Sequence, residues 1–305
     1  MADIPNSSKD NATAVKSRYS FFLGCVMPVK MPWGESAIMH TLPELGVDLE
    51  YLKKGTCCPR AGVWKSVDER VWLTLASYNL LQAEGDGRDV LVSCNGCYVT
   101  LYEANQLLKE NPEKLKQVNE YLAEAHSHYN ASIRVRHLLE VLYEEVGLDR
   151  IRRESRKVPI RVAIHPGCHM RIFDDGRLVR YFSELTGILV DEVVPYEEEQ
   201  MCCGLQANLA DRHFATYERA KKKFDAIKAL NVDALVIVCS GCYDQFERAL
   251  QILKKEIGYE FGIPIIHLAE LLALSRGIDP GDFGMRYLRT APVDAIIAKW
   301  ESDRR

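Results

Sequence analysis

Short apolar runs recur along this chain at intervals that predict strands separated by helices. Tyr19 to Gly24, Val47 to Leu52 and Asp89 to Ser93 read as three strands in the first half. Arg161 to His165, Ile188 to Val194 and Ala234 to Val238 read as three more in the second. A helical segment separates the first two strands of each half. After the second strand, Ser66 with Glu69 three residues on resembles a capping box that leads a helix to about Ala83, and the segment from Asn208 to about Leu230 matches it. Strands alternating with helices predict an α/β fold in two copies, each a mostly parallel sheet with packed helices, and such sheets bind ligands at the carboxyl ends of their strands. The pattern places one domain at 19–150 and a second at 158–278, joined by the charged stretch Ile151-Arg-Arg-Glu-Ser-Arg-Lys157. Residues 1–18 read as a flexible polar extension, and 279–305 as a tail free to wrap a neighbour.

Composition narrows the class. With 47% hydrophobic and 27% charged residues, the 305-residue chain has the balance of a soluble globular protein. No stretch approaches the roughly 18 uncharged apolar residues of a membrane span, so direct membrane insertion is not expected. The formal net charge of -4 and the short, mixed basic runs give no reason to expect nucleic acid. The N-terminus carries no apolar stretch of signal-peptide type, which predicts a cytoplasmic protein. Ten cysteines in a reducing compartment are more often metal ligands or redox centres than structural disulfides.

Those ten cysteines are Cys25, Cys57, Cys58, Cys94 and Cys97, then Cys168, Cys202, Cys203, Cys239 and Cys242. An offset of 145 residues relates the last four of the first set to the last four of the second, and 143 relates Cys25 to Cys168. Gly24 and Gly167 each precede the first cysteine, and Gly96-Cys97-Tyr98 recurs as Gly241-Cys242-Tyr243. The chain is an internal duplication. In both copies the Cys-x-x-Cys falls where the third strand gives way to a helix, whose exposed N–H groups favour ionised sulfur. Glycine at 96 and 241 is expected to let the backbone turn closely round inorganic sulfide.

Zinc needs four ligands, as does a regular cubane, and each half offers five. Adjacent side chains project in different directions, so a vicinal pair suits two metal atoms better than one. The spacing therefore favours an unusual multi-iron centre in each half, with zinc in one half as the competing reading. Gly85-Asp-Gly87 precedes a strand and is a loop signal, not a nucleotide-binding fingerprint.

The pattern Cys, 31–33 residues, Cys-Cys, 35 residues, Cys-x-x-Cys, present twice, resembles the CCG domain found in the B-type subunit of heterodisulfide reductase. The likeness spans Tyr19 to about Ser275 and is carried by Phe21-Phe-Leu-Gly-Cys25-Val-Met-Pro28, Cys57-Cys-Pro59 and Cys94-Asn-Gly-Cys97-Tyr98. The resemblance implies two non-cubane [4Fe-4S] clusters, each held by one quintet, with a disulfide clamped between them. It implies reduction of the coenzyme M–coenzyme B heterodisulfide to two thiols, in a methane or sulfur pathway. A ferredoxin-like [4Fe-4S] subunit of the C type and a flavin-containing subunit of the A type are the implied partners, since this chain has no Cys-x-x-Cys-x-x-Cys run of its own. The two product thiolates need protons, and His169, directly after Cys168, is the candidate donor; hydrogen bonding to sulfur, or simple packing, is the alternative. His165 and His267, near predicted strand ends, are weaker candidates. The second vicinal pair is followed by Gly204 and the first by Pro59, so only the second spells Cys-Cys-Gly. Three functions stay open: heterodisulfide reduction, a CCG subunit of another redox complex (sulfur oxidation, thiol–fumarate, or 2-hydroxy acid and quinone), and a non-catalytic relay or zinc-stabilised subunit.

Overall fold

Tyr19, Phe21, Phe22, Val90 to Val92, Val162 to Ile164 and Ala234 to Ile237 are all buried, as strands covered by helices on both faces require. The computed structural model describes residues 17–172, 175–287 and 289–304. In it β1 (Arg18–Phe22), β2 (Asp48–Tyr51), β3 (Asp89–Val92) and β4 (Val135–His137) form one sheet in the order β2-β1-β3-β4. The strands β5 (Val158–His165), β6 (Val190–Val193), β7 (Ala234–Ile237) and β8 (Ile265–His267) form the other, in the order β6-β5-β7-β8. Every pairing is parallel, with Tyr19 opposite Asp89 and Ala163 opposite Leu235 in the central pairs. The architecture is thus the duplicated α/β fold that the cysteine offset implied.

Several details differ from the sequence reading. Each sheet has a fourth strand, β4 or β8, that the three-strand pattern lacks. Ser66 does not cap a helix: it lies inside Ala61–Val67, and the helix Glu69–Gly85 is capped by Asp68, whose carboxylate accepts from the N–H of Arg70 and Val71. The stretch matching it is broken into a short turn at Ala207–Leu209, a π-helical run at Phe214–Lys221 and a helix at Lys222–Lys228. Arg18 opens β1, and residues 1–16 of the predicted flexible extension lie outside the described residues. The charged stretch between the halves includes the end of the helix Leu148–Glu154. The tail folds back on its own chain. Its helix Asp294–Arg304 packs against β5, with Ile296 and Ile297 buried and the Trp300 indole donating to the Leu274 carbonyl at 2.7 Å.

The two halves exchange helices. Pro32–Glu44, which follows β1, packs on Leu268–Arg276, which follows β8. Reciprocally, Arg177–Leu189 of the second half packs on Leu138–Glu140 of the first, and the Tyr143 and Tyr181 rings stack 3.8 Å apart. This arrangement turns the strand ends of both sheets toward each other. Among the described residues no helix is long and apolar enough to cross a membrane.

Candidate metal centre

Each Cys-x-x-Cys is positioned by the end of a central strand. Cys94 and Cys239 are the N-cap residues of Asn95–Glu110 and Ser240–Ile257, and Cys97 and Cys242 lie in the first turn, where backbone N–H groups have no partner within the helix. Cys25 and Cys168 lie just beyond β1 and β5, each after a glycine with positive φ, +68° at Gly24 and +84° at Gly167. Space matters there as much as φ. A Cβ on Gly167 would stand 2.7 Å from Asn95 Nδ2, and one on Gly24 3.1 Å from Cys97 Sγ. Gly96 and Gly241 play a different part from the tight turn expected of them. Neither has positive φ; both line the cavity, and a Cβ at Gly96 would meet nothing within 4 Å.

All ten cysteines line one cavity of about 320 Å³, and none is in a disulfide. Cys58 Sγ is 3.1 Å from Cys97 Sγ in the first half, and Cys202 Sγ is 3.6 Å from Cys168 Sγ in the second. The two sets meet at Cys94 and Cys239, equivalent positions of the duplication, whose sulfurs are 3.6 Å apart. Cys25 and Cys57 are exposed, Cys168 and Cys202 half-buried, and the other six buried. His169 also lines the cavity, with Nδ1 3.6 Å from Cys168 Sγ. The rest of the wall is mainly apolar, with Val63, Trp64, Leu205 and Leu209, and among the described residues Arg60 is its one charged side chain.

So many thiols cannot ionise together. The Cys239 thiol, then that of Cys97, holds Cys94 well below the ordinary thiol range. Cys202 is pushed down to about 2, first by the Cys168 thiol and then by Cys203, and Cys58 to about 5 by Cys57 and Cys97. Their partners move the other way: Cys97 is pushed up by Cys58 and Cys94, and Cys168 by Cys202. Protons are shared because little positive charge faces the sulfurs. A bound cation would relieve that repulsion and ionise the set. Five thiols per half exceed a zinc site and suit several metal atoms, and the open space beside Gly96 leaves room for inorganic sulfide; the residues fit an iron–sulfur centre in each half.

Three further histidines, all buried at the ends of strands, stand outside the cavity lining in different ways. His137 Nδ1 accepts from the Leu139 N–H at 3.2 Å, so its proton is on Nε2, which donates to Asn95 Oδ1 at 3.1 Å. Asn95 Nδ2 in turn donates to the Pro166 carbonyl at 2.8 Å, tying one cysteine loop to the other half. His267, one of the candidates from sequence, caps Leu268–Arg276 and lies outside the cavity lining. His165 is fully buried behind the second quintet: a ring nitrogen and the sulfurs of Cys203 and Cys242 all lie within 4.8 Å of one another. Neither of its nitrogens makes a hydrogen bond of good geometry, although the Glu199 backbone carbonyl lies close enough to act on the ring as an acceptor.

Sequence reasoning did not find Asn95, Arg60 or Lys223. Asn95 had a signal, because its equivalent in the other Cys-x-Gly-Cys-Tyr is Ser240. Lys223 is fully buried, donates to the Glu199 carbonyl at 3.0 Å and to the Tyr196 hydroxyl at 3.2 Å, and is pushed down to about 8 by burial against the pull of Cys242 and Cys203. It had none, since it stands in a run of three lysines that reads as solvated.

Comparison with known proteins agrees with this geometry. A cysteine-rich domain of the CCG family matches residues 19–102 and again 162–247. The chain is 34% identical over 293 residues to the B-type subunit of the ferredoxin/F(420)H(2)-dependent CoB-CoM heterodisulfide reductase of Methanosarcina acetivorans, covering 93% of this chain and 98% of that one. It is 34% identical over 300 residues to a protein of Archaeoglobus profundus described as like the B-type subunit of heterodisulfide reductase, covering 94% and 99%. A crystal structure of a hypothetical protein from Helicobacter pylori shares the fold, with a TM-score of 0.72 at 18% identity over 91% of this chain and 52% of the other. Two full-length copies of the motif, and kinship over nearly the whole length, make this chain a member of the CCG-domain family to which the B-type subunit of heterodisulfide reductase belongs.

Proposed function

We propose that this chain is the disulfide-reducing subunit of a heterodisulfide-reductase-type complex, with one non-cubane [4Fe-4S] centre held by each cysteine quintet. The observation that carries the reading is the 3.6 Å approach of Cys94 and Cys239, which brings two five-thiol nests to one cavity. Reduction of a disulfide consumes two electrons and two protons, breaks one S–S bond and leaves two thiols. Each centre, when bound, supplies one of those electrons. The chain's own residues do the rest. Val63, Trp64, Leu205 and Leu209 offer apolar contact to the body of a disulfide substrate, and Arg60 offers a cation to an anionic substituent. His169, beside Cys168, is placed to deliver a proton to one departing sulfur. The coenzyme M–coenzyme B heterodisulfide is the favoured substrate, because the relatives of matching length are named for it. Electrons reach the chain from a ferredoxin-like subunit and, further upstream, a flavin-containing one.

Anaerobic purification with iron and sulfide quantified, followed by titration with the coenzyme M–coenzyme B disulfide, tests the proposal. About eight iron atoms per chain are expected, with a paramagnetic signal that appears on adding substrate to the oxidised protein. Zinc in place of iron would end the proposal, and full iron loading with no response to the disulfide would move the chain to another redox complex of its family.

A further inference from the structure

The two nests are built on one plan but differ in what stands behind the sulfurs. His165 occupies the position that the 143-residue offset assigns to Phe22, and Lys223 the position that the 145-residue offset assigns to Tyr78. At these equivalent positions the first half carries two aromatic residues, and the second an imidazole and an ammonium. Both polar groups are fully buried. An imidazole placed in an interior with neither nitrogen bonded costs about 1–3 kcal/mol for each unsatisfied group. The Phe246 ring, its centroid 4.9 Å from that of the imidazole, offers it no acceptor of ordinary strength. What lies within reach of the ring is the Glu199 carbonyl, outside good bonding geometry, and the sulfurs of Cys203 and Cys242, two buried ligands of the second nest.

We infer that His165 is a direct polar contact of the second iron–sulfur centre, its ring N–H directed at the sulfurs of that centre, and that this contact makes the second centre easier to reduce than the first. The inference rests on the reading that each quintet holds such a centre. Hydrogen bonds to cluster sulfur and nearby positive charge stabilise the more negative, reduced state and raise the reduction potential. Lys223 acts in the same direction, as a positive charge held near Cys203 and Cys242. An aromatic hydrocarbon at position 22 does neither. The two electrons that split a disulfide would then enter two unlike centres, with His165 as a positioning residue that sets the order.

The test is a redox titration of the iron-loaded whole protein followed by electron paramagnetic resonance. His165→Phe installs the residue of the other half, His165→Leu is a second apolar replacement, and His165→Gln keeps an N–H at similar reach. In both apolar variants one of the two couples is expected to fall so that the reduced-to-oxidised ratio at its wild-type midpoint drops at least tenfold, a shift of about 59 mV for a one-electron couple. The other couple stays in place, and His165→Gln restores most of the difference. Loss of about half the iron from both apolar variants, with full iron in His165→Gln, supports the same contact. Unchanged couples in a fully loaded apolar variant, equal movement of both couples, or a glutamine variant as shifted as the phenylalanine one would overturn the inference. Absence of iron from the wild-type protein is a separate result, which removes the underlying reading with it.

Discussion

At the scale of single residues, Asn95 shows what a duplicated motif leaves room to change. Its amide accepts from His137 and donates to the Pro166 carbonyl at the same time, while fully buried. Ser240, at the same place in the second half, is too short to span that gap. Asn95→Ala would leave a buried N–H and a buried carbonyl unpaired, at about 1–3 kcal/mol each. The variant is expected to lose about 2 kcal/mol or more in denaturant unfolding, and Asn95→Ser nearly as much; a midpoint equal to wild type would refute the link. The ten cysteines were legible because their identity and spacing repeat. His165 was only half legible: sequence placed it near a strand end but carried no record of depth, and depth is what leaves it facing two sulfurs.

Among the elements, the helices that follow β4 and β8 begin with the same device. His137 and His267 each accept a backbone N–H at 3.2 Å, while Glu140 and Glu270 accept the histidine's own N–H at 2.7 Å. Burial pushes His137 down to about 3 and His267 to about 4, against an ordinary value near 6.5. Below that value the unfolded chain takes up protons that the folded chain refuses. Stability that is complete above pH 6.5 is therefore lost as pH falls toward 4, at about 1.4 kcal/mol per pH unit for each histidine. Unfolding measured from pH 7.5 to 5 should show this slope, and a His137→Asn, His267→Asn double variant, which keeps a good cap, should flatten it. An unaltered slope in the double variant would assign the acid sensitivity elsewhere. These elements escaped the pattern of apolar runs because a three-residue strand has no alternation to read. The helix at Glu69 was found but given the wrong cap, since Ser66 fits the spacing and Asp68 fits the bonding.

For the whole molecule, the exchange of helices means that neither half closes its own apolar surface. Pro32–Glu44 buries Trp33, Ala37, Ile38 and Leu42, and part of what covers them is Leu268–Arg276 from the other half. Arg276 adds ion pairs at 3.3 Å to Glu44 and to Glu154. Residues 17–157 or 158–304 produced alone should be poorly soluble and take up little iron, whereas the two produced together should recover a loaded, two-fragment protein. Full iron uptake by one fragment alone would contradict the shared cavity. The sequence disclosed the repeat and therefore two sheets, yet the way the sheets face each other depends on surface shape, which no spacing of cysteines encodes.

Among the departures from perfect repetition, Phe22 against His165, Asn95 against Ser240, and Pro59 against Gly204 fall beside cysteines of the two quintets. They give an otherwise two-fold chamber a left and a right. A guest with two unlike ends can then be told which way round to lie, and one with identical ends cannot.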